Sequence, residues 1–153
     1  MYCYRAALVR ALVQRVSRAS VTVDGELVGS IGAGLCVLVG ATHDDTPTIA
    51  RKMAAKIWNL RIMDDDAGVM NRSVADTTGE VLVVSQFTLY GDINSGRRPS
   101  WIAAARPEVA EPLVQSVIDE LRDLGATVGT GRFRATMAVE LVNDGPTTVW
   151  IEL

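Results

Sequence analysis

Two short runs carry the residue types that could do chemistry. Ser85-Gln86-Phe87-Thr88 ends an apolar stretch, Val81-Leu82-Val83-Val84. It places hydroxyl and amide groups where a buried strand reaches a sheet edge, a common location for ligand sites. The second run, Val142-Asn143-Asp144-Gly145-Pro146-Thr147-Thr148, puts a Gly-Pro pair between two segments with strand character, residues 138–142 and 148–153. Proline cannot donate to a sheet ladder. Glycine leaves its own carbonyl unshielded, and X-Pro bonds alone have ready access to the cis form. The run therefore offers bare backbone that can read the shape of a small ligand without side-chain chemistry. Taken singly, each run also has a plainer meaning. The first fits a strand end whose polar groups serve the next loop, and the second fits a turn linking the last two strands.

Other candidate chemistry is thinner. His43 is the single histidine, which argues against a His-based metal site or a Ser-His-Asp triad, and no Gly-x-Ser-x-Gly surrounds Ser85. His43 beside Asp44-Asp45 reads as a strand-to-helix connection. Asp64-Asp65-Asp66 lacks the alternating carboxylates and closing Glu of a calcium loop and reads as a solvated loop. Arg97-Arg98, in the loop at 91–99, reads as solvated or as a grip on phosphate. Phe133 and Met137 fit a core as readily as a pocket. Cys3 and Cys36 form no close pair, which suits a reducing cytoplasm and not a disulfide scaffold. No metal and no cofactor is expected.

The elements that must position these residues follow from local pattern. Residues 10–23 alternate apolar and polar and read as a strand; Asp24-Gly25 is a two-residue hairpin signal, with 26–31 returning. Residues 35–40 form an apolar run buried on both faces. Thr46 caps a helix with Pro47 in its first turn, and Ile49, Met53, Ile57 and Leu60 form its buried stripe. Residues 81–88 read as a central strand. A second helix starts near Pro107, presents Leu113, Val117, Ile118, Leu121 and Leu124, and stops at Gly125. Strands are expected around 127–130, 137–142 and 148–151. The fold class is α+β, both helices packed on one face of a mostly antiparallel sheet system.

The 153 residues suit one domain with a full core. Hydrophobic content is 48% and charged content 22%, ordinary for a globular chain. No run approaches the roughly 18 apolar residues of a membrane span, and the start is too short and weakly apolar for a secretory signal. The net charge of −3 leaves any RNA contact to a local basic patch.

Four segments together resemble the D-aminoacyl-tRNA deacylases, also called D-tyrosyl-tRNA deacylases. They are Ala11-Leu12-Val13-Gln14-Arg15-Val16, Ser85-Gln86-Phe87-Thr88-Leu89-Tyr90, Gly96-Arg97-Arg98-Pro99-Ser100, and Leu-Val-Asn-Asp-Gly-Pro-x-Thr at 141–148. The pairing of Ser-Gln-x-Thr with the distal Asn-x-Gly-Pro-x-Thr is the specific signal. The resemblance implies a three-layer α/β/β fold and a cytoplasmic homodimer. It implies hydrolysis of the ester joining a D-amino acid, or glycine mischarged on tRNA(Ala), to the terminal ribose of tRNA, with L-esters spared. The expected partner is the aminoacyl-tRNA 3′ end, with no membrane and no DNA.

In that family the Gly-Pro bond is cis and the motif of one subunit enters the active site of the other. By match, Gly145 and Pro146 are the chirality filter, Asn143 belongs to the same motif, and Arg15 holds it. Phe133 and Met137 line the pocket for the terminal adenosine. Ser85, Gln86 and the backbone amides near Phe87 and Thr88 position the ester carbonyl, and the ribose 2′-hydroxyl assists water. Thr88 has no base beside it in sequence, so positioning is favoured over covalent catalysis. Two positions depart from the pattern: Arg134 follows Phe133 where the family usually has Gly, and Ser95 precedes Gly96 where Lys is common. Residues 1–9 read as an extension or a misassigned start, and 10–153 as the single deacylase domain.

Overall fold

The alternating run near the start forms the spine of the molecule. In the computed structural model, which describes residues 8–153, β1 (Arg10–Val23) pairs with three other strands. Its first half lies antiparallel to β3 (Gly34–Gly40) and its second half antiparallel to β2 (Glu26–Ile31), while β8 (Ala138–Glu152) runs antiparallel along its length. Asp24 (φ 49) and Gly25 (φ 77) are both left-handed, as a tight hairpin turn that matches strand twist requires. The reading of residues 1–9 falls mostly outside the described residues. Val9, which is described, is buried, and its carbonyl accepts from Leu153 N at 3.1 Å.

The remaining strands of this sheet are parallel. β6 (Glu80–Ser85) lies parallel to β3, and β7 (Val128–Thr130) parallel to β6. Parallel neighbours need long crossovers, and the two helices lie within them: α1 (Pro47–Asn59) between β3 and β6, α2 (Pro107–Asp123) between β6 and β7. The sheet is therefore mixed, with antiparallel pairs in the majority.

Side-chain alternation builds three layers. Leu35, Val37, Val39, Val81 and Val83 face a core with Ala50, Met53, Ala54 and Ile57 of α1 and Leu113, Val114, Val117, Ile118 and Leu121 of α2. The intervening Cys36, Leu82 and Val84 face the other way, against Val16, Ala19, Val21 and Ile31 of the bent half of β1 and of β2. β3 and β6 are thus apolar on both faces because both faces are covered. Burial pushes the Cys36 thiol up to about 11, leaving it an inert packing group.

Several boundaries differ from the sequence expectation. Thr46 caps α1 as expected, its Oγ1 accepting from Ile49 N at 3.3 Å. The fully buried stripe is Ala50, Met53, Ala54 and Ile57, whereas Ile49 and Leu60 are only partly covered. Alanines on that stripe leave room for α2 to pack alongside. Leu124 is exposed because α2 ends at Asp123 and Gly125 (φ 109) turns the chain away. The central strand ends at Ser85 and not at Thr88. β3 runs out beside it, Gln86 N makes a last bond to Val39 O at 2.8 Å, and Phe87–Tyr90 coil into a 3-10 turn. The acidic stretch expected as a loop is one over residues 65–68, with Asp64 ending β4 (Met63–Asp64); it is the tip of a hairpin with β5 (Met70–Arg72), held by Asp65 accepting from Ala67 N and Val69 N.

The two sheet layers touch backbone to backbone at Gly29. A Cβ built there would lie 2.1 Å from Thr130 O. Gly29→Ala is expected to destabilise by about 1–3 kcal/mol through forced separation of β2 from β7, read as a lower urea midpoint with an unchanged slope.

Candidate functional site

The polar strand end opens onto the larger cavity. A hollow of about 520 Å³ lies between the ends of β3 and β6, the start of α2 and the segment before β8. Ser85, Gln86 and Phe87 form one wall, Phe133, Ala135 and Met137 another, and Trp101, Ala104 and Ala105 a third. Among the described residues, Arg134 is its one charged lining residue. Phe87 and Trp101 meet edge to face at 5.3 Å and remain exposed at the mouth. Met137 packs on Gly131, where an added Cβ would lie 2.6 Å from its sulfur.

A buried ring and a cation stacked on it hold the 3-10 turn. Tyr90 is buried, and burial raises its phenol well above the ordinary value, so it stays protonated. Arg10 sits 4.3 Å over its ring, donates to Leu89 O at 2.9 Å and pairs with Glu152 at 3.1 Å. The amides of Phe87 and Thr88, at the start of the turn, donate to no backbone carbonyl among the described residues. Amides left free at such a start are donors for an incoming oxyanion. His43 serves structure: its Nε2 donates to Ile102 O at 2.6 Å, and Thr42 Oγ1 donates to Ala103 O, fixing the segment that carries Trp101 and Ala104.

The Gly-Pro motif is neither a hairpin turn nor a break between two strands. Residues 138–143 and 148–152 belong to one strand, β8, and both pair with β1. Gln14 lies opposite Thr148 and Val16 opposite Asn143. Arg15 alone therefore faces residues 144–147, a bulge in which several residues oppose one. Within it the Gly145-Pro146 peptide bond is cis.

Arg15 and Asn143 hold the bulge closed. The Arg15 guanidinium is buried and donates to Asp144 O at 3.2 Å, to Ile62 O at 2.9 Å and to Asp64 Oδ1 at 3.1 Å. It also pairs with the Asp144 carboxylate at 3.2 Å. From the other strand, Asn143 Nδ2 donates to Arg15 O at 2.9 Å and Thr147 O at 3.1 Å. Thr147 is buried beneath, whereas Gly145 and Pro146 are exposed. An added Cβ at Gly145 would meet nothing nearer than Asn143 Oδ1, at 3.0 Å.

The expected site residues fall into two groups. Ser85, Gln86, Phe87, Phe133 and Met137 share the cavity. Arg15, Asn143, Gly145 and Pro146 form the bulge and are not among the residues lining it. Thr88 is exposed outside the lining, its hydroxyl bonded to the Gln86 amide. Neither Ser85 nor Thr88 has a histidine or carboxylate hydrogen-bond partner among the described residues, and no group of His, Cys, Asp and Glu there is arranged to hold a metal. Arg10 and Trp101 escaped the sequence reading. The signal for Trp101 was its place directly after the Gly96–Ser100 motif; Arg10 had none beyond its place at the start of β1.

Comparison with known proteins gives this arrangement its class. The D-Tyr-tRNA(Tyr) deacylase family matches residues 12–152. A Streptomyces coelicolor protein named D-aminoacyl-tRNA deacylase is 58% identical over 146 residues, covering 95% of this chain and 100% of its own. One from Mycolicibacterium smegmatis with the same name is 58% identical over 148 residues, covering 95% and 100%. A solved structure described as a c-Myc DNA unwinding element binding protein superposes with a TM-score of 0.89 at 41% identity, covering 94% of this chain and 98% of that one. A probable eukaryotic D-amino acid tRNA deacylase shares the fold, with a TM-score of 0.82 at 16% identity and coverage of 95% and 99%. The class is that of enzymes hydrolysing the ester of an aminoacyl-tRNA. Within it, this chain belongs to the D-aminoacyl-tRNA deacylase family.

Truncating Arg15 to Ala leaves the carbonyls of Asp144 and Ile62 without their donor. Each such loss costs about 1–3 kcal/mol, so Arg15→Ala should unfold at clearly lower urea. Lys in its place cannot reach all these acceptors with one point charge and should fall between Ala and wild type in the same titration.

Proposed function

We propose that this deacylase removes D-amino acids, and glycine mischarged on tRNA(Ala), from the 3′ end of tRNA, and that the Gly145-Pro146 backbone of one subunit enforces the choice in the cavity of a second. The terminal nucleoside occupies the larger cavity, with Phe133 near the base and Met137 beside it. Ser85, Gln86 and the free amides of Phe87 and Thr88 hold the ester carbonyl and stabilise its oxyanion. An aminoacyl ester is already activated, so water assisted by the ribose 2′-hydroxyl suffices and no acyl-enzyme forms. A D-residue points its side chain away from the Gly-Pro carbonyls. An L-residue drives its side chain into them and is refused.

The observation that carries this reading is the separation of motif from cavity within one chain. The bulge is pinned by Arg15 and Asn143, its tip is exposed, and it lies on a strand whose described pairing is with β1 alone. Inside the chain, glycine at 145 spares the pinned Asn143 side chain, whose Oδ1 an added Cβ would approach to 3.0 Å, and its exposed outer side is left for what meets it from outside. A second copy supplies the cavity, and exposed Val69, Met70 and Val142 offer apolar surface to accompany the bulge. Shape is the right tool for this choice. Apolar side-chain contacts separate similar ligands by only about 1–3 kcal/mol, whereas a rigid wall rejects by collision.

The test is a paired assay with D-Tyr-tRNA and L-Tyr-tRNA. Wild type is expected to hydrolyse the D-ester and spare the L-ester, and Pro146→Ala to lose much of that selectivity while keeping D-ester turnover. Full selectivity in Pro146→Ala contradicts the filter. Binding of both esters without turnover would instead make the protein a carrier of aminoacyl-tRNA. Thr88→Ala is expected to retain most activity, and Ser85 to resist labelling by a fluorophosphonate; a dead Thr88→Ala or a trapped acyl-enzyme contradicts positioning without covalent catalysis.

A further inference from the structure

A second, smaller cavity of about 300 Å³ lies under α2, lined by Glu111, Gln115, Arg122, Thr130 and Arg132 among others. It adjoins the larger one: Ser85, Val114 and Phe133 line both. We infer that the smaller cavity is a subsite for the nucleotide preceding the esterified one, with Arg132 holding the phosphate that joins the two. This inference rests on the deacylase reading above and extends it along the RNA.

The tripeptide Arg132-Phe133-Arg134 sets the geometry. It forms a turn closed by Ala135 N donating to Arg132 O at 3.2 Å, with Arg134 held at φ 65. The turn places Phe133 in the common wall, Arg134 on the larger cavity and Arg132 on the smaller. The larger cavity is mostly apolar. A nucleoside seated there must continue on its 5′ side into a phosphodiester, whose charge cannot be buried unpaired. Just across Phe133 stands Arg132, a fork suited to phosphate oxygens. Among the described residues the arginines in ion pairs are Arg10, Arg15, Arg18 and Arg72; neither Arg132 nor Arg134 has a carboxylate partner, and of these two Arg132 is the one that lines the smaller cavity.

The rest of the lining favours a nucleotide over a free anion. Glu111 would repel a bare phosphate, yet it accepts a hydrogen bond from a ribose hydroxyl or a base amino group. Gln115, one helical turn on, already donates to Asp119 Oδ1 at 2.8 Å and keeps its amide oxygen to accept, and the Thr130 hydroxyl both donates and accepts. Arg122 is partly engaged, donating to Val128 O at 3.4 Å.

The test uses two non-hydrolysable ligands measured by calorimetry: adenosine carrying a 3′-D-tyrosyl amide, and the same compound extended by a 5′ cytidylyl nucleotide. Wild type should bind the extended ligand about 10-fold tighter, with a log–log salt slope steeper by about 1. Arg132→Ala should remove both differences, Arg132→Lys should restore the salt slope, and the nucleoside amide should bind all three proteins alike. Equal weakening of both ligands by Arg132→Ala, or no gain from extension in wild type, overturns the subsite. If wild type hydrolyses D-Tyr-tRNA while extension adds nothing, the subsite alone is wrong. If it neither hydrolyses D-Tyr-tRNA nor binds either amide, the deacylase reading falls and the subsite with it.

Discussion

One mismatch in a strand pair shapes this molecule: where β1 contributes the single residue Arg15, β8 contributes residues 144–147. The excess cannot lie in the sheet, so it stands out from it. A loop of that kind would ordinarily be loose. Here the Arg15 guanidinium and the Asn143 amide tie its carbonyls from both sides, and Thr147 is buried beneath. The result is rigid backbone presented without side chains in front of it. Removing either tie would leave the sequence of the motif intact and its shape undefined.

The cavity in the same chain is complementary in character. It is largely apolar, and among the described residues no base stands poised beside a hydroxyl there. Its polar contribution is the strand end at Ser85 and Gln86, the free amide of Phe87 and the Arg134 side chain, with the turn kept in place by buried Tyr90 and the stacked Arg10. Such a site suits an already activated ester, for which orientation and a place for negative charge are the main needs. The proposed division of labour follows: the cavity binds and orients, and the bulge of another copy decides which enantiomer fits.

Local signals in the sequence were read correctly where the structure is local. Asp24-Gly25, Thr46-Pro47, Gly125 and the apolar run of β3 each act within a few residues. The boundaries that went astray depend on distant partners. β6 stops at Ser85 because β3, far away in sequence, stops beside it. Gly145-Pro146 resembled a turn because two strand-like segments flank it, and only their common pairing to β1 makes it a bulge. Arg10 and Trp101 were missed for the same reason, since stacking over Tyr90 and packing on Phe87 exist only after the chain folds. The grouping of Ser85, Gln86 and Phe87 was legible because it is contiguous. That Phe133 and Met137 join them, while Arg15 and Asn143 do not, is a matter of topology.

The proposed action of the bulge across two subunits can be separated from action within one. A mixed dimer would join a subunit carrying Pro146→Ala to one whose cavity is filled by Ala104→Trp. Its single open cavity then belongs to the Pro146→Ala chain, and the intact bulge to its partner. The account predicts D-ester hydrolysis at about half the wild-type rate with L-ester still refused. Loss of that refusal in the mixed dimer would contradict it, because the filter would then belong to the same chain as the cavity.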